Sequence, residues 1–383
     1  MSRAPGPGGL ALALHTHMPY VEGFGTWPFG EEWLWEAVAA SYVPLLDLLD
    51  GAPGRVTLSV TPVLADQLEA PGALERCEAF LREIRPESHR LDIAAAGSEA
   101  GVVAALEHSA AAYAATAGRV RGVGERLLAH ASWTSAATHA VLPLLATDGG
   151  VRLQLATGIS AHRARTGGWE GGLWLPECAH APWLDPLLEA AGVRVACVEL
   201  TGVHGEGAAE HLRPLRTAAG PLLVPVDRAV IDLVWGRDGY PSRGAYRDSH
   251  RMTEHRHRAW AVDGAPYDPA RAREQADADA ADFVARVAER LRGGGLCVCA
   301  LDTELLGHWW HEGVTWLAAV LERAEAAGLP VVELGEAAAE ASGPVAAPPL
   351  PVTTWGEGYD LSTWSGPGAR GLAWRQRAAE LGL

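Results

Sequence analysis

Ala300-Leu301-Asp302-Thr303-Glu304-Leu305-Leu306-Gly307-His308-Trp309-Trp310 carries an apolar run into an acid and then into two adjacent indoles. The run that leads into it, Leu296 to Leu301, is short, apolar and preceded by Gly293-Gly294-Gly295, the pattern of a strand covered on both faces of a parallel sheet. Asp302 then stands at the strand's C-terminal end, where α/β barrels carry their reactive residues. Gly172-Leu173-Trp174-Leu175-Pro176-Glu177-Cys178 repeats the setting, an apolar run that stops at Glu177. Two acids at two strand ends predict paired-carboxylate chemistry; taken singly, each is more often a helix cap or an ion-pair partner.

Working outward, Gly9 to Leu14 alternates Leu10, Leu12 and Leu14 with Ala11, Ala13, His15 and His17, a strand whose small-residue face opens into histidines. Further strands are expected at Arg55–Val60, Val151–Leu155, Gly172–Leu175, Val193–Val198, Ala229–Val234 and Pro330–Leu334. Helical spacing covers Glu31 to Leu49 with a proline at Pro44, which reads as one kinked helix or two short ones, and Ser135 to Leu145 reads as a helix that starts from a serine cap and carries His139. Asp268 to Arg292 is a helix with an aspartate cap and glycines beyond its end. Strands alternating with helices imply a parallel sheet, closed or nearly closed. The alanine-rich stretch at about 62–134 reads as a helical insertion, Trp235 to Asp263 as a long functional loop, and Pro344 to Pro351 as a linker.

Composition removes several function classes. With 31 basic against 47 acidic residues the formal charge is −16, which disfavours nucleic-acid partners. The sequence contains neither lysine nor asparagine, so a lysine Schiff base, a Walker-type phosphate loop and N-glycosylation are excluded. Five cysteines, an odd number, read as reduced thiols, and no signal or membrane segment is visible; a cytoplasmic protein is expected. His15 and His17 alone do not make a zinc site, which needs three or four ligands, so hydrogen bonding to a sugar is favoured and neither metal nor cofactor is expected. Of fifteen tryptophans, those beside acids, Trp174, Trp309, Trp310, Trp355 and Trp364, suit stacking on pyranose faces as well as core packing.

His15-Thr16-His17-Met18-Pro19-Tyr20, Trp27-Pro28-Phe29-Gly30-Glu31-Glu32-Trp33-Leu34, Thr138-His139 with Pro143-Leu144-Leu145, Trp174 to Cys178, Leu301 to Gly313 and Trp355 to Trp364 follow one another along nearly the whole chain. In that order they resemble glycoside hydrolase family 57, and within it the α-1,4-glucan branching subgroup. The resemblance implies an incomplete (β/α)7 TIM-like barrel over residues 1–343, with 344–383 as a short C-terminal segment that completes the site. It implies Glu177 as nucleophile and Asp302 as general acid/base of a retaining enzyme acting on an α-1,4-glucan. It assigns His15, His17, Trp27, His139, Trp174, Trp260, Trp309, Trp310, Trp355, Asp360 and Trp364 to the substrate, and Tyr240 to a loop that favours branching over hydrolysis. Leu306, His311 and Ser242-Arg243 depart from the family pattern, and the chain stops at Leu383 where the subgroup continues into a helical domain. An α-1,4-glucan hydrolase, a 4-α-glucanotransferase, a metal-dependent carbohydrate hydrolase or deacetylase and a non-catalytic glucan-binding protein are the alternatives. A homo-oligomer is left open.

Overall fold

The computed structural model describes residues 8–27, 30–218, 220–340, 345–346 and 348–382. Pro28 and Phe29 of the Trp27–Leu34 motif, the start of the N-terminal segment and part of the expected linker lie outside these residues. The strands are β1 (Gly9–Thr16), β2 (Thr57–Val60), β3 (Ala131–Ser135), β4 (Gly172–Trp174), β5 (Val195–Val198), β6 (Leu215–Arg216), β7 (Leu222–Pro225), β8 (Leu296–Asp302) and β9 (Val345–Ala346). Their order in the sheet is β8-β1-β2-β3-β4-β5-β7-β6-β9. The first seven in that order are mutually parallel, and β6 runs antiparallel to β7. They curl into an incomplete seven-stranded barrel. Among the described residues no strand pairing joins β7 to β8; the gap is spanned by one backbone hydrogen bond, from Asp227 N–H to the Val298 carbonyl at 2.9 Å.

Register decides what reaches the C-terminal rim. His15 on β1 lies beside Ser59 on β2 and beside Asp302 on β8, and Ser135 on β3 lies beside Trp174 on β4. The chain's histidines, indole and acid therefore meet at one end of the barrel because their strands end there together.

Four expected elements are corrected. Val151–Leu155 is part of the helix Asp148–Thr166, capped by Thr147, whose hydroxyl accepts from Gly150 N–H at 2.9 Å. Gly158 lets that helix press onto the backbone of β3, since a Cβ there would run into the Ser135 carbonyl. Ala229–Val234 is a helix, Arg228–Trp235, that buries Val230, Ile231 and Val234 on one side. Ser135 ends β3 and is followed by a turn in place of a helix, with only Leu142–Leu144 helical, as a 3₁₀ turn. Of Pro330–Leu334, only Val331 bridges to Leu10.

Helices at 62–130 fill the space between β2 and β3. Their Phe80, Leu81, Leu106 and Val123 share one continuous core with Leu12 and Leu14 of β1 and Val298 of β8. Of the two readings of Glu31–Leu49, two short α-helices is the one found, Glu31–Ala37 and Val43–Gly51, and Pro44 does not act as a kink. A π-helical turn, Val38–Tyr42, shifts the register so that the proline falls in the first turn of the next segment, Val43–Gly51. All five cysteines are buried and unpaired. No helix among the described residues is long and apolar enough to cross a membrane.

Candidate active site

Glu177 sits in a tight turn directly after β4, and both it and Cys178 are held at positive φ, 62° and 48°. That backbone region is unfavourable for residues with a Cβ and persists only where the surroundings enforce it. Here the enforcement is backbone hydrogen bonding. Cys178 N–H reaches the Leu175 carbonyl at 2.8 Å, Ala179 N–H that of Pro176 at 3.1 Å, and Trp355 N–H that of Glu177 at 3.1 Å. The Trp355 indole N–H donates to Glu177 Oε2 at 2.8 Å, leaving Oε1 free of that bond and 3.9 Å from His139 Nδ1. Burial raises the Glu177 pKa above the ordinary carboxylate range, and the Trp355 hydrogen bond opposes that shift.

Asp302 ends β8 and keeps part of its surface open to the cleft. Burial, with the negative charge of Glu177 adding to it, pushes its carboxyl up to about 7. No cation pairs with it among the described residues. Two positions on, Glu304 is buried and pushed up to about 8 by burial first and then by the charge of Asp302. It accepts hydrogen bonds from the Tyr42 hydroxyl and, at 3.2 Å, from His17 N–H. The π-helical turn aims Tyr42 there, while Ser41 donates to the Thr303 carbonyl at 2.9 Å. Gly307 (φ 101°) allows this close approach, because a side chain there would strike the Ala40 carbonyl.

Beside these acids lies a stack of rings. His17 and His139 have centroids 4.0 Å apart, His139 and His15 4.9 Å, and His15 and Trp174 4.9 Å, all nearly parallel. Burial holds all three imidazoles neutral; His17 is lowered to about 4, and neighbouring histidines lower His15 and His139 further. Ser59 Oγ is 2.7 Å from His15 Nδ1. His15 Nε2, His139 Nε2 and Trp174 Nε1 are buried without protein partners, the arrangement of a site that expects polar groups from a ligand. Among the described residues no group of three or more His, Cys, Asp or Glu is arranged to hold a metal ion.

The structure thus gathers His15, His17, His139, Trp174, Glu177, Asp302 and Trp355. It places the other candidates differently. Tyr240 is 2% exposed, with its hydroxyl on Asp282 at 2.8 Å and its ring against Trp316, so in this structure its side chain is packed in the core. Trp310 is 1% exposed and packs edge-on to Tyr246 at 5.3 Å, so its face is not available to a sugar. Asp360 accepts the Ser362 N–H at 2.7 Å, in the turn that leads into the short helix Ser362–Ser365. Trp364 packs on Val141, Leu144 and Ala179, behind the turns that carry His139 and Glu177. Trp309 and Trp27 are exposed, the latter stacked under Arg256, and Trp260 is half-buried under Arg251.

Sequence reasoning missed Glu304, Tyr42, Glu199 and Arg228. Glu304 had a signal, an acid inside an apolar stretch. Arg228 had none, since its role is tertiary: it donates to the Trp355 carbonyl at 2.9 Å, faces Glu199 at 3.3 Å and lies over the Tyr359 ring. It ties the C-terminal segment to the barrel and so sets Trp355 on Glu177. Arg228→Gln is expected to lower kcat about tenfold, the scale of a modest misplacement of a positioned group. It should also move the acid limb of kcat/KM to higher pH, because a weaker Trp355 bond lets the Glu177 pKa rise. An unmoved acid limb would break the link between Arg228 and Glu177.

Comparison with known proteins places the chain in a family. The profile of glycosyl hydrolase family 57 matches residues 133–345. A probable 1,4-alpha-glucan branching enzyme of Mycobacterium tuberculosis is 34% identical over 95% of this chain and 77% of its own length. A 1,4-alpha-glucan branching enzyme of Thermococcus kodakarensis is 31% identical over 93% of this chain and 61% of its own length. The crystal structure of a branching enzyme from Pyrococcus horikoshii superposes with a TM-score of 0.89 at 30% identity, covering 97% of this chain and 77% of that one. An alpha-amylase from Thermotoga maritima shares the fold, with a TM-score of 0.80 at 23% identity over 91% of this chain and 78% of that one.

Proposed function

The chain belongs to glycosyl hydrolase family 57, and from that premise we propose that it is a retaining 1,4-α-glucan branching enzyme, cleaving an α-1,4 bond and passing the chain to a 6-hydroxyl. Glu177 acts as nucleophile, its Oε1 attacking the anomeric carbon to give a covalent glycosyl-enzyme. Asp302, protonated up to about pH 7, gives its proton to the departing 4-oxygen and afterwards takes one from the incoming 6-hydroxyl. Direct attack requires the carboxyl groups about 5–5.5 Å apart, since no water stands between nucleophile and sugar. The neutral stack of His15, His17 and His139 presents uncharged nitrogens to sugar hydroxyls, and Trp174 and Trp355 wall the nucleophile's side. Residues 1–343 form the catalytic barrel in this reading, and the segment after them completes the site through Trp355.

The observation that supports the reading most is the placement of two carboxyl groups at one rim, Glu177 on the turn after β4 under the Trp355 indole and Asp302 at the end of β8 beside His15. Amylose incubated with the protein is expected to gain α-1,6 linkages, counted by proton NMR, in excess of new reducing ends. Reducing ends without α-1,6 linkages would replace branching with hydrolysis. Disproportionated chains with neither would favour a 4-α-glucanotransferase.

A further inference from the structure

To one side of the cleft, the helix at 31–44, the helices Arg85–Ala96 and Ala100–Ala117, the loop at 247–258 and the segment 307–315 enclose a cavity of about 630 Å³. Cavities of a few hundred Å³ take small molecules. Neither Glu177 nor Asp302 lines it. Its walls carry four guanidinium groups, Arg85, Arg247, Arg256 and Arg258, against two carboxylates, Glu32 and Glu36.

Those carboxylates are already used. Glu36 pairs with Arg85, and Glu32 with Arg256 at 3.1 Å. Arg247 and Arg258 form no ion pair among the described residues. Arg247 is 8% exposed, lies 4.3 Å over the Tyr267 ring, and has Nε and Nη2 without acceptors. Arg258 donates only to the carbonyls of Ser249 at 3.0 Å and His308 at 3.4 Å. Glu312, which accepts the Arg247 backbone N–H at 3.2 Å, offsets part of the charge on buried Arg247, and Asp248 part of that on half-buried Arg258; neither makes an ion pair, and a bound anion would complete the compensation. The neighbouring histidines register the positive field. After burial, Arg258 lowers His308, Arg247 and Arg258 lower His311, and Arg85 and Arg256 contribute to lowering His257. This cationic chamber lies in a chain of net charge −16.

We propose that the cavity binds a sugar carrying an oxyanion, a phosphate or a carboxylate, with Arg247 and Arg258 receiving the oxyanion and the half-exposed face of Trp309 the pyranose ring. Guanidinium groups match such oxyanions in charge and hydrogen-bond geometry, and indoles match sugar faces. The proposal stands on the cavity and not on the glucan reading, and it is tested by binding, so the two can fail separately.

The test is isothermal titration calorimetry of the whole chain with glucose 6-phosphate as probe. Saturable 1:1 binding is expected, with glucose and inorganic phosphate each at least about tenfold weaker because each engages one half of the site. Arg258→Gln should weaken glucose 6-phosphate roughly 10- to 100-fold, the range for losing a hydrogen bond to a charged group. Arg258 is only half-buried, so this variant should keep its melting temperature. Arg121→Gln removes one positive charge from an exposed site paired with Glu78 and should leave the affinity unchanged. Absence of glucose 6-phosphate binding, or equal affinity in Arg258→Gln, would overturn the proposal. Inorganic phosphate binding as tightly as glucose 6-phosphate would overturn its sugar half. A maltotriose 6-phosphate that binds tighter than glucose 6-phosphate identifies a modified glucan as the source, and the reverse order a free sugar phosphate; either outcome upholds the site.

Discussion

Glu177→Gln and Asp302→Asn are each expected to lower kcat on amylose by roughly 10³-fold or more, with circular dichroism and melting cooperativity retained. Each replacement preserves shape and removes the one property the proposed step uses, nucleophilic charge in the first and a transferable proton in the second. The isosteric amide at 177 can still accept the Trp355 indole N–H, so the turn at Leu175 to Ala179 has no reason to rearrange. Glu177→Gln should also lower the pKa of Asp302, because it deletes the neighbouring charge that adds to the effect of burial. Steady-state kinetics with amylose and carbon-13 NMR of labelled aspartate check both. Activity within tenfold of wild type in either variant would remove that residue from the chemistry.

Asp302→Asn is further expected to be more stable than wild type at pH 8 and little different at pH 4. The folded-state pKa of Asp302 is raised from 3.8 to about 7, so between those values the folded protein holds a proton that the unfolded chain has released. Stability therefore falls as pH rises through that window, by up to about 4 kcal/mol if the whole shift is expressed. Asparagine has no proton to lose and escapes the decline. Glu304, raised to about 8, acts in the same direction, and loss of the Asp302 charge relieves it slightly, so the sign is unchanged. Differential scanning fluorimetry across pH 4 to 8 measures the gap. A variant less stable than wild type at pH 8 would mean that the Asp302 carboxylate is favoured in the fold, which is incompatible with its role as acid near neutrality.

Much of this was legible in the sequence because barrel strands stop where their chemistry begins. β4 and β8 are runs of buried residues ending in Trp174 and Asp302, and β1 ends in the histidine motif, so three walls of the site could be read from apolar runs alone. β3 and β7 could not. Ala131–Ser135 is polar for a buried strand and follows directly on the helix Val123–His130, and Leu222–Pro225 is short and ends in proline. Val230, Ile231 and Val234 suggested a strand by β-branching, yet their spacing is that of one helix face, and packing against the sheet favoured the helix. The identity of the sugar-facing aromatics was illegible for a different reason. An indole suits a core as well as a pyranose, and Trp310 and Trp309, adjacent in sequence, are 1% and 47% exposed because the chain beyond β8 turns at Gly307. Tyr240 and Asp360 likewise show that a motif position fixes a residue type without fixing where the side chain points.

The central claim is double displacement through Glu177, and the stereochemistry of azide products from the two alanine variants tests it most directly. Removing either carboxyl group leaves space for azide on the side of the sugar that the group had faced. With an activated α-maltosyl donor, Asp302→Ala should still form the glycosyl-enzyme on Glu177, and azide should open it to an α-glycosyl azide with retained configuration. Glu177→Ala has no nucleophile, so azide should attack the donor itself and give the β-glycosyl azide, inverted. Proton NMR of the anomeric signals distinguishes the two. An α-azide from Asp302→Ala and a β-azide from Glu177→Ala is the predicted pair; the opposite pair, or identical products from both variants, would contradict the assignment of nucleophile and acid.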